Sequence, residues 1–597
     1  MKVTNGLSAY AVYNSDTKKE RDKIVPKTKP KLCRSRSEVV IGPQSGKGLE
    51  KVLLALRENN PDILRECNSK EINELKNKSK VKPKSHENKV SKKRKKISTY
   101  VKTHLPKMYK KHSEPQIEKR STYNPIIQRK KKASSNSLQD PIKQGLKLFE
   151  WMISPTPPKL FFDNYWEKKH LHIARTNAKY YTHLFTSKCL DSMFRNNDLY
   201  YTRNVDVVIY ENETKEILNP EGKANPSALW DFYSNGCSIR VLNPQTYNKK
   251  VHLLVSTLQE YFGSMVGVNA YLTPPNSQGF APHFDDIEAF IIQLEGRKHW
   301  RLYHPKEEDT LPRHSSKNFT HEEIGNPFLE VTLEEGHLLY FPRGIIHEGR
   351  TDSDSHSLHL TVSLYQNNAY VDLLENLLPN ALVEAAKSDI EFRKGLPLHF
   401  LRNKNPLDID NDPKSHILQI VSSLMDKLKS HLDIDGGIAE LGRKLVYNSM
   451  PPVLSKEEQA CSSKHDGDML DNGIVYNKVE FDESTKIRLT RFHCIQPLCK
   501  SNTKTFTLYY STENANVYHG EEEQFLELEE YMLPAIEKLR KAYPKFVEIG
   551  SLPLKTIEDR VQFIYDLWEK GIIITKEPLG SSENELLDDD TNDSDNE

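Results

Sequence analysis

Hydrophobic and polar positions divide the chain into three regimes. Through residue 135 apolar residues are sparse and aperiodic, apart from the island "GLEKVLLALREN" (48–59), where they recur at helical spacing. "DPIKQGLKLFEWMIS" then predicts a helix capped by Asp140, with Pro141 at its first position and Ile142, Leu146 and Phe149 on one face. From about 200 to 370 the pattern becomes short β-branched and aromatic runs: "VDVVIY", "CSIRVL", "GVNAYLTPP", "EAFIIQLEG", "KHWRLYHP", "FLEVTLEEGHLLYFP" and "SLHLTVSLYQ". Short strands punctuated by turn residues predict a sandwich or barrel, with no long helix between the later runs. "IEAFIIQLEGRK" reads as a strand pair of that barrel.

After Asn368 the period is helical. "DPKSHILQIVSSLMDKLKSHLDI" sets Ile417, Val421, Leu424, Leu428 and Leu432 on one stripe behind an Asp412–Pro413 start. Such a stripe must be covered, by a second copy of the chain or by the chain's own barrel. A polar linker near 453–473 precedes a third unit. There "KIRLTRFHCI" and "TFTLYYS" read as strands, an acidic helix is expected near 521–542, and "TIEDRVQFIYDLWEKGIII" is a helix stopped by Gly571 before a short strand. Helices with a small terminal ribbon suggest a winged-helix-like module.

Length and charge sharpen this division. A chain of 597 residues exceeds the roughly 250–300 at which single cores stop growing. Residues 1–140 carry 36 Lys+Arg against 14 Asp+Glu, with "SKKRKK" (91–96) and "RKKK" (129–132) the densest clusters, whereas the remainder carries 49 against 69. So basic and apolar-poor an arm is expected to be disordered and to contact RNA, chromatin or nuclear import receptors. The terminal unit, from Tyr476 on, has 14 basic against 25 acidic residues and repels phosphates. A protein-interaction or structural role therefore suits it better than DNA binding. The seven cysteines lack CxxC spacing, which fits a reducing compartment without structural disulfides. Cys494 and Cys499 with His493 make half a zinc site at most, and ordinary core thiols are the favoured reading. No run approaches the ~18 apolar residues of a membrane span, so no membrane partner is expected.

The candidate chemistry starts at "GFAPHFDDIEAF". On a strand, side chains at i and i+2 share a face, so His283 and Asp285 can approach one cation while Phe284 points into packing. Two ligands leave a metal undercoordinated, and "HLLYFPRGIIHEG" offers His347 as a third. Two histidines and a carboxylate suit a non-haem Fe(II) oxygenase or a catalytic zinc. His299, His304, His314, His337, His356 and His359 lie nearby in sequence, and the pair could also be a polar start to a buried strand.

"NAYLTPPNSQGFAPHFDDIEAFIIQLEGRKHW", "LYFPRGIIHEG" and "HSLHLTVSLYQ" resemble the Jumonji-C (JmjC) ribosomal oxygenases. The resemblance runs over about 135–597 and includes "FFDNYWEKKHLHIAR" (161–175). It implies a mainly β catalytic core, a double-stranded β-helix of the cupin/JmjC type, with flanking helices, a helical dimerisation region and a winged-helix-like end. It also implies Fe(II) on His283, Asp285 and His347, a salt bridge from Lys298 to the cosubstrate 2-oxoglutarate, and O2 as oxidant. A distal carboxylate inside a barrel does need a cation, although a snorkelling strand lysine is the plainer reading of Lys298. Asn269 and Tyr271, two residues apart, are expected in the same pocket, with Arg240 and Ser363 positioning the target peptide. His337 stands where the family commonly has Asp and is expected near the barrel mouth. The implied reaction is hydroxylation of a ribosomal-protein histidine or demethylation of histone H3 methyl-lysine (lysine-4 and lysine-36 type marks). The implied setting is the nucleus and nucleolus, in transcriptional repression and ribosome biogenesis.

The resulting division is a basic arm (1–135), a JmjC catalytic domain (136–385), a helical, dimer-forming region (386–473), a winged-helix-like module (474–578) and an acidic tail (579–597). Two other classes compete with the oxygenase: a catalytically silent chromatin scaffold and a zinc-dependent hydrolase.

Overall fold

Asp140 caps the first helix, Pro141–Ile153, by accepting from the backbone N–H groups of Ile142 at 3.0 Å and Lys143 at 3.2 Å. The computed structural model describes residues 138–396, 413–499, 504–516 and 522–579. The basic arm, the island at 48–59, Asp412 and the acidic tail beyond 579 lie outside them. The buried face of the first helix is Gly145, Phe149, Met152 and Ile153, while Ile142 is exposed. Gly145 sets this rotation: it rests on the helix Lys249–Phe262, where a Cβ would stand 2.8 Å from the Cβ of Tyr261.

The helix Lys249–Phe262 is an element that the strand-rich reading of this region passed over. Asn248 caps it, Val251, Leu254, Val255 and Leu258 are buried at three- and four-residue spacing, and Gly263 at φ 60° ends it.

Eleven strands form the core: β1 (Leu171–Ile173), β2 (Val205–Glu211), β3 (Thr214–Ile217), β4 (Ser238–Leu242), β5 (Val266–Thr273), β6 (Glu288–Gly296), β7 (Lys298–Tyr303), β8 (Leu329–Leu333), β9 (Leu338–Phe341), β10 (Ile346–Arg350) and β11 (Ser357–Leu364). A large antiparallel sheet runs β1-β9-β6-β11-β5-β4-β2-β3 and a small one β10-β7-β8. Ala289, Ile291, Leu339 and Phe341 of the large sheet cluster with Trp300, Leu302 and Leu333 of the small one, so the inner faces pack together as a cupin-type core. On β5, Val266, Val268, Ala270 and Leu272 turn outward to the helices. On β11, Leu358, Leu360, Val362 and Leu364 do the same. The alternate residues of both strands are left to the interior.

The run Glu288–Tyr303 is not a strand pair. β6 and β7 belong to different sheets, and the chain turns between them at Gly296, where φ is 60° and a Cβ would meet the His356 carbonyl oxygen at 2.0 Å. Only glycine makes that corner.

Helices Tyr370–Ser388, Pro413–Leu428 and Ile434–Asn448 follow. Of the predicted stripe, Leu428 is buried against Ala381 and Ala385, with Leu432 half-buried beside them, while Val421 is 45% exposed. The stripe thus packs at its C-terminal end on the preceding helix rather than on the barrel.

In the last unit, strands Lys486–Leu489, Ile495–Cys499 and Thr505–Tyr510 match the sequence reading, as do the helix Ile557–Glu569, Gly571 at φ 66° and the strand Ile573–Thr575. Two expectations change. The acidic stretch begins as a strand, Phe525–Glu529, before the helix Leu533–Ala542. The polar stretch at 453–473 is packed rather than a linker: Glu458 is buried and paired with Arg488 at 2.9 Å and Arg491 at 2.8 Å. Those counter-charges lie some thirty residues away, out of reach of a local pattern.

Candidate active site

His283, Asp285 and His347 each offer one ligand atom, all within 4.8 Å of one another, and no other group of three potential ligands converges so among the described residues. Asp285 stands 3.9 Å from His283 Nε2 and 3.7 Å from His347 Nε2. The sequence reading placed His283 and Asp285 on a regular strand, whereas they lie in the extended segment before β6. What orients them is an isolated bridge: His283 and His347 exchange backbone hydrogen bonds of 3.2 and 2.8 Å, and the Gly344 N–H donates to the Asp285 carbonyl at 3.1 Å. Phe284 turns away, as expected, into a cluster with Tyr303 and Ile346.

Both imidazoles are set for ligation. His283 Nδ1 lies 2.8 Å from the Ala281 carbonyl and His347 Nδ1 lies 3.0 Å from the Ile345 carbonyl. A carbonyl only accepts, so each Nδ1 carries a proton and Nε2 is the ring nitrogen left to face a metal. Burial, helped by the neighbouring His283, lowers the pKa of His347 to about 4, so it is neutral at physiological pH.

The triad opens into a cavity of about 510 Å³ that Lys298, Asn269, Tyr271, Arg240 and Ser363 also line. All eight residues anticipated from the sequence therefore share one chamber. Lys298, at the start of β7, is 5% exposed, and its ammonium donates to the Thr273 hydroxyl at 3.1 Å. Among the described residues no carboxylate pairs with it, and desolvation lowers its pKa to about 7. A buried cation without a counter-ion fits a dicarboxylate cosubstrate, and two imidazoles with one carboxylate fit Fe(II).

Neighbouring strands bring the rest into register. Asp206, Arg240, Tyr271 and His359 are successive cross-strand partners on β2, β4, β5 and β11, and the rings of Tyr271 and His359 stack at 4.9 Å. The Arg240 guanidinium is held by Asp206, with Nε at 3.0 Å, and lies over the Phe280 ring at 5.3 Å. His359 and Trp300, which line the chamber, and Thr273, which accepts from Lys298, went unremarked as site residues in the sequence. His359 Nδ1 and Trp300 Nε1 are buried without a hydrogen-bond partner among the described residues. Extending the i, i+2 series of Asn269 and Tyr271 along β5 would have found Thr273, and the same alternation back from Ser363 on β11 would have found His359.

The remaining candidates go elsewhere. His299 pairs with Glu330, His356 with Glu295, and His304 stacks on Phe328. His337 does not line the chamber at all. It sits beside His172, with ring centroids 5.5 Å apart, because β9 pairs with β1 at the edge of the large sheet. Cys494 is buried with its thiol on the Arg491 carbonyl, Cys499 is exposed, and His493 bonds Glu260 at 2.5 Å, so the three form no metal site.

Fold and chamber together define an Fe(II)- and 2-oxoglutarate-dependent oxygenase. The JmjC domain family matches residues 240–372, and the family described as "Ribosomal oxygenase 1, C-terminal winged helix domain" matches 450–579. A "Bifunctional lysine-specific demethylase and histidyl-hydroxylase NO66" of Aedes aegypti is 44% identical over 446 residues, covering 73% of this chain and 69% of that one. A "Ribosomal oxygenase 1" of Danio rerio is 45% identical over 442 residues, covering 72% and 80%. The crystal structure of the Escherichia coli ribosomal oxygenase YcfD overlays with a TM-score of 0.38 at 13% identity, covering 70% of this chain and 98% of that one. The chain belongs to the JmjC-domain ribosomal oxygenase family. Its terminal unit is a winged-helix domain, and among the described residues no helix is long and apolar enough to cross a membrane.

Proposed function

We propose that the chain hydroxylates a histidine side chain of a ribosomal protein, with demethylation of histone H3 methyl-lysine as the second reading, since the Aedes aegypti relative is named for both activities. The observation that carries the reading is the convergence of His283, Asp285 and His347 with the counter-ion-free Lys298 in one chamber. Here His283, Asp285 and His347 hold Fe(II), and Lys298 with Thr273 holds the distal carboxylate of 2-oxoglutarate. When bound, iron with 2-oxoglutarate and O2 supplies an oxidant able to hydroxylate an unactivated C–H bond. The chain's own work is positioning. Asn269 and Tyr271 line the cosubstrate side, Arg240 braces Phe280 at the wall, and Ser363 faces the incoming peptide. Trp300, Phe341 and Ile291 keep the interior apolar, which limits water at the reacting centre. Neither a silent scaffold nor a zinc hydrolase explains a lysine buried without a carboxylate in the same chamber as a two-histidine, one-carboxylate set.

The proposal extends to the setting. The exposed apolar positions Leu418, Val421 and Met425 support a homodimer through the helical region. The basic arm supports nuclear and nucleolar import and contact with RNA or chromatin, and hence roles in ribosome biogenesis and transcriptional repression. The domain limits proposed are 136–385 for the catalytic part, 386–449 for the dimer-forming part and 450–579 for the winged-helix part, the boundary expected at 473/474 moving because Glu458 pairs with Arg488 and Arg491.

Mass spectrometry of ribosomal proteins and histone H3 from cells with and without the protein tests the substrate. Loss of an oxygen adduct on a histidine is expected, and restoration must require Asp285. A gain of H3 lysine methylation alone moves the assignment to demethylation, and no change in either refutes both.

A further inference from the structure

We propose that Glu288, Arg343 and Glu167 are positioning residues for the metal centre: one guanidinium gripped by two carboxylates ties together the two chain segments that carry Asp285 and His347. The inference rests on the ligand assignment above.

Glu288 opens β6 three residues after Asp285 and is fully buried. Arg343 stands four residues before His347, in the turn between β9 and β10. Its Nη1 lies 2.8 Å from Glu288 Oε1 and 2.6 Å from Glu167 Oε1, and its backbone N–H donates to Glu288 at 3.4 Å. The second oxygen of Glu288 accepts from the Tyr340 hydroxyl at 2.5 Å, and that phenol oxygen accepts in turn from the Glu167 backbone N–H at 3.0 Å. The ring of contacts closes on itself. The next residue, Gly344, donates to the Asp285 carbonyl at 3.1 Å, at φ 91° and with the Asp309 carbonyl where a Cβ would be, 2.6 Å away. One turn therefore touches the backbone of one ligand, is clamped to the strand that follows it, and leads directly to another.

None of these four side chains lines the chamber, so they can act on the metal only through its ligands. Charge is a poor choice for stability alone, because desolvating two carboxylates and a guanidinium offsets most of their attraction, and apolar side chains of similar volume pack as well. What the ionic arrangement adds is direction: a planar donor and two carboxylates fix distance and angle where apolar contacts would slide. The cluster also gives a role to Glu167, within "FFDNYWEKKHLHIAR", a stretch outside the chamber that the catalytic reading leaves unused.

The test is Co(II) affinity of the full chain, by equilibrium dialysis well below the melting temperature, with the visible spectrum of the bound ion recorded alongside. Glu288→Gln keeps the shape and removes the charge. We expect about tenfold weaker Co(II) binding and a shifted spectrum, the scale seen when outer-shell partners of metal ligands are lost. Glu167→Gln, at the 35% exposed rim of the cluster, should weaken binding by about threefold and keeps the test decisive if Glu288→Gln does not fold. Arg343→Lys, which keeps the charge but not the planar guanidinium, should fall between them. Glu458→Gln loosens the winged-helix domain and serves as the control for general loosening. Wild-type affinity and spectrum in Glu167→Gln and in any folded Glu288→Gln, or an equal loss in Glu458→Gln, overturns the proposal. Failure of the ligand assignment is separate: it shows as undiminished Co(II) binding in Asp285→Ala.

Discussion

Cosubstrate binding should take up a proton near neutral pH, because burial lowers the pKa of Lys298, the cation that receives the cosubstrate, to about 7. The Lys298 ammonium meets the Thr273 hydroxyl and, at 5.6 Å, the Trp300 ring rather than a carboxylate. A bound carboxylate requires the charged form and restores its pKa upward. The apparent dissociation constant for 2-oxoglutarate then scales with one plus ten raised to the difference between pH and about 7. It should rise about fivefold from pH 7 to pH 8, and nearly another tenfold by pH 9. Proton uptake should be about half a proton at pH 7 and about nine-tenths at pH 8. A dication on the triad favours neutral lysine further, which moves the midpoint down without removing the linkage. Anaerobic titration calorimetry on the Co(II) form, in two buffers of different ionisation enthalpy, reads both quantities. His347, neutral above about pH 5, contributes no proton in this window. Lys298→Met should bind at least thirtyfold more weakly, since a buried charge pair has lost one member, and should show no buffer dependence. Affinity flat between pH 6.5 and 8.5 with buffer-independent heats would refute the reasoning.

Three further outcomes follow from contacts elsewhere. Gly349→Ala would place a Cβ 2.9 Å from Lys298 Cε and 3.3 Å from Trp300, and overpacking of about 1–3 kcal/mol should raise the KM for 2-oxoglutarate while metal content, measured by atomic emission, stays whole. Glu458→Gln leaves Arg488 and Arg491 buried without their carboxylate, so the winged-helix domain should lose about 3–5 kcal/mol, visible as an earlier calorimetric transition. Burial alone would raise the Glu260 pKa, but the hydrogen bond and charge of His493, with Tyr543 and Arg491, bring it below 4.5. Its stabilising contribution is therefore present above about pH 4.5 and lost as pH falls through the lower folded value, so hydrogen exchange in the helix Leu533–Ala542 should accelerate there before the barrel strands open.

Much of the core was legible because its signals are local. The alternation along β5 and β11 marks which side chains enter the chamber, and the spacing of His283 from Asp285 survives although the segment is not a regular strand. A bridge to His347 supplies the shared orientation that strand geometry was expected to supply. Elements whose defining contact lies far off were harder to read. The helix Lys249–Phe262 carries a good apolar period but sits among strands, and the face of Pro141–Ile153 is set by the approach of Tyr261 to Gly145, which no periodicity encodes. The stripe ending at Leu432 was read as needing one partner, whereas its two ends differ: Leu428 is covered by its own chain and Val421 is not.

The buried acidic positions have a common physical origin. A pattern treats every charge as solvated, yet Asp206, Glu260, Glu288 and Glu458 are all buried, each beside a basic side chain from a distant element. Removing a charge from water is tolerable only with such a partner, so for these residues the folded chain closes its own electrostatics. Lys298 is equally buried and has the Thr273 hydroxyl and the Trp300 ring beside it but, among the described residues, no carboxylate. A scaffold has no reason to keep such a residue, because methionine would fill the volume without the desolvation penalty. The counter-charge therefore has to arrive with a ligand, and a dicarboxylate is a ligand that can meet Lys298 at one end and the triad at the other.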